Sequence, residues 1–265
     1  MAAISRAQEL KQLLPGLNAL FGEEYGKYEN EHEEIYATEN SERSFEEELK
    51  LSGFGAAPVK DEGSAISYDT AQESFVAPLN NGFTNSYQSG DGVNLFTASG
   101  DGVTGGDGHP LVSGGTNSNR PSTAADLNET SLENAIIQIS KWTDERGLKI
   151  AARPKKLIVP TDLQFTATRL LKSDYKVGSA DNDVNAIVTN GVIPEGFSVN
   201  HYLTDTNAFF IVTDVPDGMK HFVRAPMTTS MDGDFDTGNV RYKARERYSF
   251  GVSDPLGIWG SPGSS

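Results

Sequence analysis

Four cations stand at alternate positions near the end of the chain: Arg241, Lys243, Arg245 and Arg247. Between and beyond them Val240, Tyr242, Ala244, Tyr248, Phe250 and Val252 are apolar. Alternation with period two from Val240 to Val252 predicts a strand with one buried and one polar face. The chemistry such a row offers is anion pairing. The chain is acidic, with 22 Lys and Arg against 37 Asp and Glu and a formal net charge of −15. The row is therefore a local exception, and its anions are expected from acidic segments of this chain or of another copy. Glu46, Glu47 and Glu48 close the acidic run from Glu23 to Glu48 and are candidates. Glu246 interrupts the apolar face, where a carboxylate calls for an Arg or Lys partner.

Other chemistry finds little support. Gly100-Asp-Gly-Val-Thr-Gly105 matches G-x-G-x-x-G but has no buried strand before it and no helix after it, so it reads as a loop. Three Gly-Asp-Gly units between 90 and 108 hint at calcium-binding glycine repeats, yet their spacing of ten and then six residues breaks the required period. Asp181-Asn-Asp-Val-Asn185 and Asp232-Gly-Asp-Phe-Asp236 begin like calcium loops. Val192 and Lys243 occupy the twelfth positions where Glu is needed, so both read as turns whose side chains cap the backbone. His32, His109, His201 and His221 show no ligand spacing, although His201 and His221 are placed to approach each other across neighbouring strands. No nucleophile elbow, Walker loop or zinc-protease motif occurs. The reading is no enzyme, no cofactor and no metal. With no cysteine there are no disulfides or thiolate sites.

The elements that position these residues read as follows. Residues 5–21 predict an amphipathic helix with Leu10, Leu13, Leu14, Leu17 and Phe21 on one face and a break at Pro15-Gly16. Residues 1–50 hold twelve Glu, no Asp and five Lys or Arg. Such a run is either a solvated arm or an arm that lies across a neighbouring subunit and meets cations there. Residues 51–77 are rich in small residues and read as an exposed hairpin or extended loop, with extended signals at Ile66–Tyr68 and Phe75-Val76. Residues 82–115 hold ten glycines and read as loop. A helix is predicted over 131–146, capped by Thr130 and Glu133 and stopped by Gly147. Lys155–Val159 reads as a buried strand. Pro160-Thr161-Asp162 starts a helix with Leu163, Ala167, Leu170 and Leu171 inward. Phe197–Leu203, Ala208–Thr213 and Met219–Arg224 read as an antiparallel meander. Helices and mostly antiparallel strands together give an α+β class.

At 265 residues the chain can bury a sizeable core as one large or two intimate domains. The N-terminus carries no long apolar run, which reads as no signal peptide. No stretch approaches the roughly 20 apolar residues that span a bilayer. The acidic balance argues against general nucleic-acid binding through phosphate contacts.

The basic strand and the ending Ser253-Asp-Pro-Leu-Gly-Ile-Trp-Gly-Ser261 resemble the C-terminus of the major capsid proteins of tailed bacteriophages (Caudoviricetes), which share the Hong Kong 97-type fold. Further segments fit in order. Leu13–Gly22 resembles the opening of the N-terminal arm. Phe54–Lys60 with Tyr68-Asp69 resembles the rising half of the extended loop. Asn117–Leu127 resembles the lead into the axial domain. Asp181–Asn185, Pro194–Gly196, Asn200–Leu203 and Asp234–Gly238 continue through that domain. These are fold motifs rather than catalytic ones. One departure stands out: after Phe75-Val-Ala77 the family continues with the falling half of the loop and a long spine helix. Here the chain runs into Pro78–Phe83, which resembles the segment after that helix. The expectation is a basic strand lacking its largest packing partner.

The resemblance implies an arm (1–50), a truncated extended loop (51–78), a peripheral domain in two parts (79–127 and 236–265) and an axial domain (128–235). It implies hexamers and pentamers of this chain tiling an icosahedral shell around double-stranded DNA in the virion, assembled in the bacterial host cytoplasm. DNA would be enclosed without sequence-specific binding, and no membrane is involved. The acidity then has two readings: solubility alone, or an inner wall that holds DNA without adhering to it. Partners implied are a separate scaffolding protein, a portal and a decoration protein. Inter-subunit contacts are expected at Lys60, Arg241, Lys243, Arg245, Arg247 and Glu46 to Glu48. Phe250 and Trp259 are expected to pack the peripheral domain. The rival readings are a cargo shell of the same fold (encapsulin-like), a calcium-binding virion or surface adhesin built on 82–115, and a hydrolase using His201 or His221.

Overall fold

The computed structural model describes residues 35–40, 68–99, 108–175, 183–233 and 240–264. The predicted helix over 5–21 and most of the acidic run lie outside them, as do Lys60 and Glu46 to Glu48. In chain order the elements are β1 (Ala37–Asn40), α1 (Tyr68–Asn81), β2 (His109–Leu111), β3 (Gly115–Asn117), α2 (Glu129–Ile139) and β4 (Pro154–Pro160). A 3-10 turn at Thr161–Leu163 leads into α3 (Gln164–Lys172), followed by α4 (Ala186–Thr189), β5 (Phe197–Asn200) and β6 (Phe209–Thr213). The chain ends with β7 (Met219–Gly233), β8 (Val240–Val252), a 3-10 turn at Pro255–Gly257 and β9 (Ile258–Ser261). This is an α+β architecture.

Two main sheets carry the fold, in strand orders β1-β7-β8 and β5-β4-β6-β9; β2 and β3 form a small hairpin. The alternation from Val240 to Val252 is β8, and its pairing with β7 is antiparallel from Met219↔Val252 to Gly233↔Val240. The meander expected over Phe197–Arg224 is not formed. β4 stands between β5 and β6, pairing parallel with the first and antiparallel with the second, and β7 belongs to the other sheet. Turn chemistry at Thr204–Asn207 and Val215–Gly218 specifies reversals of direction but not which strand lies alongside. β9 completes the four-stranded sheet against β6.

The acidic run also differs from the expected solvated arm where it is described. β1 adds to β7 in parallel, Ala37↔Lys220 through Asn40↔Val223, and Ile35 and Tyr36 are buried in this chain's own core. Residues 68–77, expected to be extended, are helical. Adjacent Phe75 and Val76 would point to opposite faces of a strand. In α1 they share a buried face with Leu79, one turn on. Tyr36 Oη donates to the Phe75 carbonyl at 2.6 Å, and the Phe75 ring lies 6.3 Å from Tyr36 and 6.1 Å from Phe250. Pro78 sits inside α1 and removes one helical N–H. Gly82 follows because a Cβ there would meet the Pro78 carbonyl and stand 2.8 Å from the Phe96 ring. Where its side chains are described, the apolar face of β8 is thus covered: Tyr248, Phe250 and Val252 are all buried. The expectation of a missing partner is corrected.

α2 starts two residues before its predicted position and ends earlier. Asn128 is its N-cap, accepting from Ser131 N–H at 2.8 Å, while Ser131 Oγ accepts from Asn128 N–H at 3.0 Å. Serine replaces the expected glutamate in this reciprocal cap. Gly147 (φ 82°) turns a small hairpin instead of ending the helix. Leu163, Ala167, Leu170 and Leu171 face inward as expected, and Pro154–Pro160 is the expected buried strand.

Two apolar clusters fill the molecule. One gathers Tyr36, Phe75, Leu79, Phe96, Phe210 and Phe250; the other gathers Leu132, Ile139, Trp142, Leu157, Phe209 and Trp259. Trp259, in the second cluster, packs on Phe209 at 5.6 Å, whereas Phe250 belongs to the first. Phe250 is 3% exposed and meets Tyr36, Phe75, Tyr248 and His221. Phe250→Ala is expected to cost about 3–5 kcal/mol of stability, read by denaturant unfolding.

Candidate assembly surface

The basic row lies on the β7–β8 ribbon. Arg247 stands opposite Ala225, Arg245 opposite Thr228, Lys243 opposite Ser230 and Arg241 opposite Asp232. Arg245 and Arg247 are exposed and Glu246 is half-buried on the other face. The side chains of Arg241 and Lys243 lie outside the described residues, although their backbone continues the strand. Both register irregularities of the ribbon are taken up by β7, around Arg224 and around Pro226-Met227. Pro226 has no N–H for the ladder, so a bulge there is natural. β8 runs unbroken, which keeps Arg245 and Arg247 on one face. Among the described residues no carboxylate from the acidic run is brought to this row.

A second polar construction had no sequence signal. Asn119 is fully buried and joins segments remote in sequence. Its Nδ2 donates to the carbonyls of Leu95 (2.7 Å), Pro255 (2.9 Å) and Ile258 (3.3 Å), and its Oδ1 accepts from Thr97 N–H at 3.0 Å. Its own carbonyl accepts from Gly260 N–H at 2.9 Å. The acceptor role of Oδ1 settles His109: Nε2 lies 3.2 Å from both Asn119 Oδ1 and the Leu95 carbonyl, so Nε2 donates. Nδ1 lies 2.7 Å from Asp91 Oδ2. Asp91 also accepts from Ser89 Oγ and, at 3.2 Å, from Val93 N–H. Burial would push the Asp91 carboxyl up. The hydrogen bond and charge of His109, with Ser89 and Val93, outweigh that and hold it below its ordinary value. Asp91 is the middle of the first Gly-Asp-Gly unit. Its carboxylate is therefore committed within the chain.

Asp91 and His109 also border a cleft of about 830 Å³. Leu111, Ile150, Val215 and Leu256 give it an apolar wall, and Asp144, Glu145, Asp214 and Asp254 stand around it. Most of these carboxylates cap backbone: Asp254 accepts from Leu256 N–H at 2.8 Å, Glu145 from Val112 N–H at 2.9 Å and Asp214 from Arg153 N–H at 2.7 Å. Burial pushes the Asp254 carboxyl up; the Leu256 N–H and His109 pull it down, and Glu145 and Asp217 add to the rise. Ala151 on the wall is left-handed at φ 54°, a conformation that costs a non-glycine residue about 1 kcal/mol or more.

The remaining candidates have structural roles. Asn185 caps α4 through Ile187 N–H (3.1 Å) and donates to the carbonyls of Leu170 and Ser173. This bears out the capping role read for its segment. His221 is buried in β7, stacked on Phe250 at 4.5 Å, whereas His201 is exposed beyond β5 in the other sheet. The two are not strand neighbours. Among the described residues no group of His, Asp and Glu could hold a metal ion, and no helix is long and apolar enough to cross a membrane.

A family model described as phage capsid protein matches residues 76–260, more than half of the chain. No curated protein matches. Solved structures show distant likeness. The virus-like particle from Pyrococcus furiosus is 17% identical, with 54% of this chain and 55% of that chain covered and a TM-score of 0.36. The chain thus spans about half the length of that relative. Mycobacterium phage Che8 is 15% identical over 78% of this chain and 71% of that chain, TM-score 0.34. The capsid of Myoviridae phage XM1 is 12% identical over 78% and 73%, TM-score 0.39.

The two shifted carboxyls give opposite signs. Asp254 has a folded value above its unfolded one, so its burial is tolerated at low pH and loses stability as pH rises through the folded value. Asp254→Asn keeps an acceptor for Leu256 N–H and removes the charge. Its melting temperature is expected above that of the parent at pH 7, with the gap closing as pH falls toward about 4. Asp91 has a folded value below its unfolded one, so its contribution is present at neutral pH and lost on acidification. Asp91→Asn is expected to melt lower at pH 7, and this deficit shrinks below about pH 4.

Proposed function

From a chain that belongs to the phage capsid protein family, we propose a major capsid subunit of the Hong Kong 97 type from a tailed phage or prophage. Copies assemble as hexamers and pentamers into an icosahedral shell that encloses double-stranded DNA, in the host cytoplasm and then in the virion. The observation that carries this reading is the family match over 76–260, a span that takes in β7, β8, nearly all of the four-stranded sheet and most of both apolar clusters, though not β1, Tyr36 or Phe75. The protein's work is then assembly rather than catalysis. A scaffolding protein, a portal and a decoration protein are its expected companions.

Within this reading the exposed row at Arg245 and Arg247, continued by Arg241 and Lys243, meets acidic segments of neighbouring copies. Glu46, Glu47 and Glu48 are the proposed donors of charge, and Lys60 lies in a loop that reaches a neighbour. The proposed division into arm, loop, peripheral and axial parts follows the same resemblance. A single exposed ion pair contributes about 0–1 kcal/mol. Repeated over every subunit of a shell, such pairs add up while each stays weak enough to break and re-form. The net charge of −15 supports an interior that holds DNA without binding it tightly. The calcium-adhesin reading loses ground because Asp91 is engaged by His109, Ser89 and Val93.

The experiment is expression of the chain followed by negative-stain electron microscopy. Closed shells or capsomer rings are expected. Arg245→Glu is expected to leave the melting temperature near that of the parent and to abolish shells; normal shells from that variant would refute the assembly role of the row. Shells that carry enzymes instead of nucleic acid would move the reading to a cargo shell of the same fold.

A further inference from the structure

α3 turns Ala167, Leu170 and Leu171 inward, yet one large apolar side chain faces the other way. It buries small Ala167 and shows Phe165 to solvent at 72% exposure. Phe165, Arg169 and Lys172 follow at spacings that place them on one face. Arg169 reaches Thr166 Oγ1 at 3.3 Å, and Lys172 Nζ lies 5.7 Å from the Phe197 ring centre. Tyr175 and Val184, bridged to each other just beyond α3, are 59% and 62% exposed. Asp162 and Asp174 flank the ends of this patch. Exposed Phe165, Tyr175 and Val184 thus lie on or just beyond a helix whose outer face carries Arg169 and Lys172. Exposed apolar groups gathered in this way mark interaction sites.

The cleft is its complement. It has an apolar wall and carboxylates from Asp144, Glu145, Asp214 and Asp254, and no Lys or Arg is among its described lining residues. Val112 at its lip is 89% exposed, and Leu148, on the hairpin whose base lines the cleft, is 65% exposed. Within one chain the two surfaces stand apart. α3 packs along β5, an edge of the four-stranded sheet, whereas the cleft lies where the chain leaves β6 and enters β9, the opposite edge.

We infer that α3 of one copy seats in the cleft of the next, Phe165 against the apolar wall and Arg169 and Lys172 against the rim carboxylates. The occupant is a second copy of this chain, argued from complementary charge and matching apolar surface on two different faces. A helix laid in a groove is a common recognition mode. The contact joins unlike surfaces, so it is head-to-tail and either closes into a ring or runs on. A cation beside Asp254 would also offset the burial of that carboxylate. The inference deepens the shell-subunit reading by naming the surfaces that join neighbours.

The test is charge exchange in the full chain, with self-association followed by sedimentation velocity and folding by thermal melts. Arg169→Glu and Glu145→Lys each place like charges across the contact. Each alone is expected to weaken association about tenfold at an unchanged melting temperature. The double variant, and an equal mixture of the two single variants, are expected to recover the association of the parent. Single variants that associate like the parent would overturn the contact and leave the shell reading standing, provided the parent forms rings or shells. So would a double variant and a mixture that both fail to recover although every chain melts normally. A parent chain that stays monomeric at every concentration overturns the shell reading and this contact together.

Discussion

The structure depends on one buried amide. Asn119 has no exposed surface and must satisfy every polar atom it carries inside the protein. It does so by collecting the carbonyls of Leu95, Pro255 and Ile258 and the N–H of Thr97, groups that belong to no helix ladder. Without it, each of these buried backbone groups would lose a hydrogen bond, at about 1–3 kcal/mol for any left unsatisfied. The segments it joins feed different cores. Phe96 and Ile258 lie in the cluster under α1, whereas Trp259 lies in the cluster under α2. The two apolar clusters are therefore joined through polar groups at the place where they come closest in sequence.

Around that knot the charges are unevenly placed. Cations are drawn out along β8 and α3, and carboxylates collect at the cleft and in the acidic run. Several described carboxylates at the cleft are held by capping a turn, as Asp254 and Glu145 do at Leu256 and Val112. Rigid capping holds the anionic surface in place before any partner arrives, which lowers the ordering cost of association. Separation of the two signs onto different faces favours contacts between copies over collapse within one copy. It also makes assembly sensitive to salt.

Local periodicity made much of the fold legible. β8, β4 and α3 stand where period two, an apolar run and helical spacing put them. What the sequence hid was non-local. Phe75-Val76 reads as extended by residue type, and only the presence of Tyr36 and Phe250 makes a helix the better way to bury both with Leu79. The meander failed because β4, from much earlier in the chain, takes the place between β5 and β6. Asn119 sits in an Asn-Ser-Asn stretch with nothing to distinguish it from Asn117, since its partners are backbone atoms from the other end of the chain. Among the expected contact residues, the strand bearing Arg245 and Arg247 was readable from alternation. The cleft was not, because its acids come from four separate segments.

The order of strands has a consequence for how the chain is made. The three-stranded sheet needs β8, and the four-stranded sheet needs β9, both later in the chain than the strands they pair with. β1, near the other end, pairs with β7 only across most of the chain's length. Neither core is complete before β8 and β9 have been made, and Asn119 has no Pro255 or Ile258 to hold until then. Folding is thus a whole-chain event dominated by long-range pairing, which is intrinsically slow. A chain that lacks β8 and β9 presents neither sheet in finished form, so the surfaces that would join one copy to another depend on contacts made across most of the described chain.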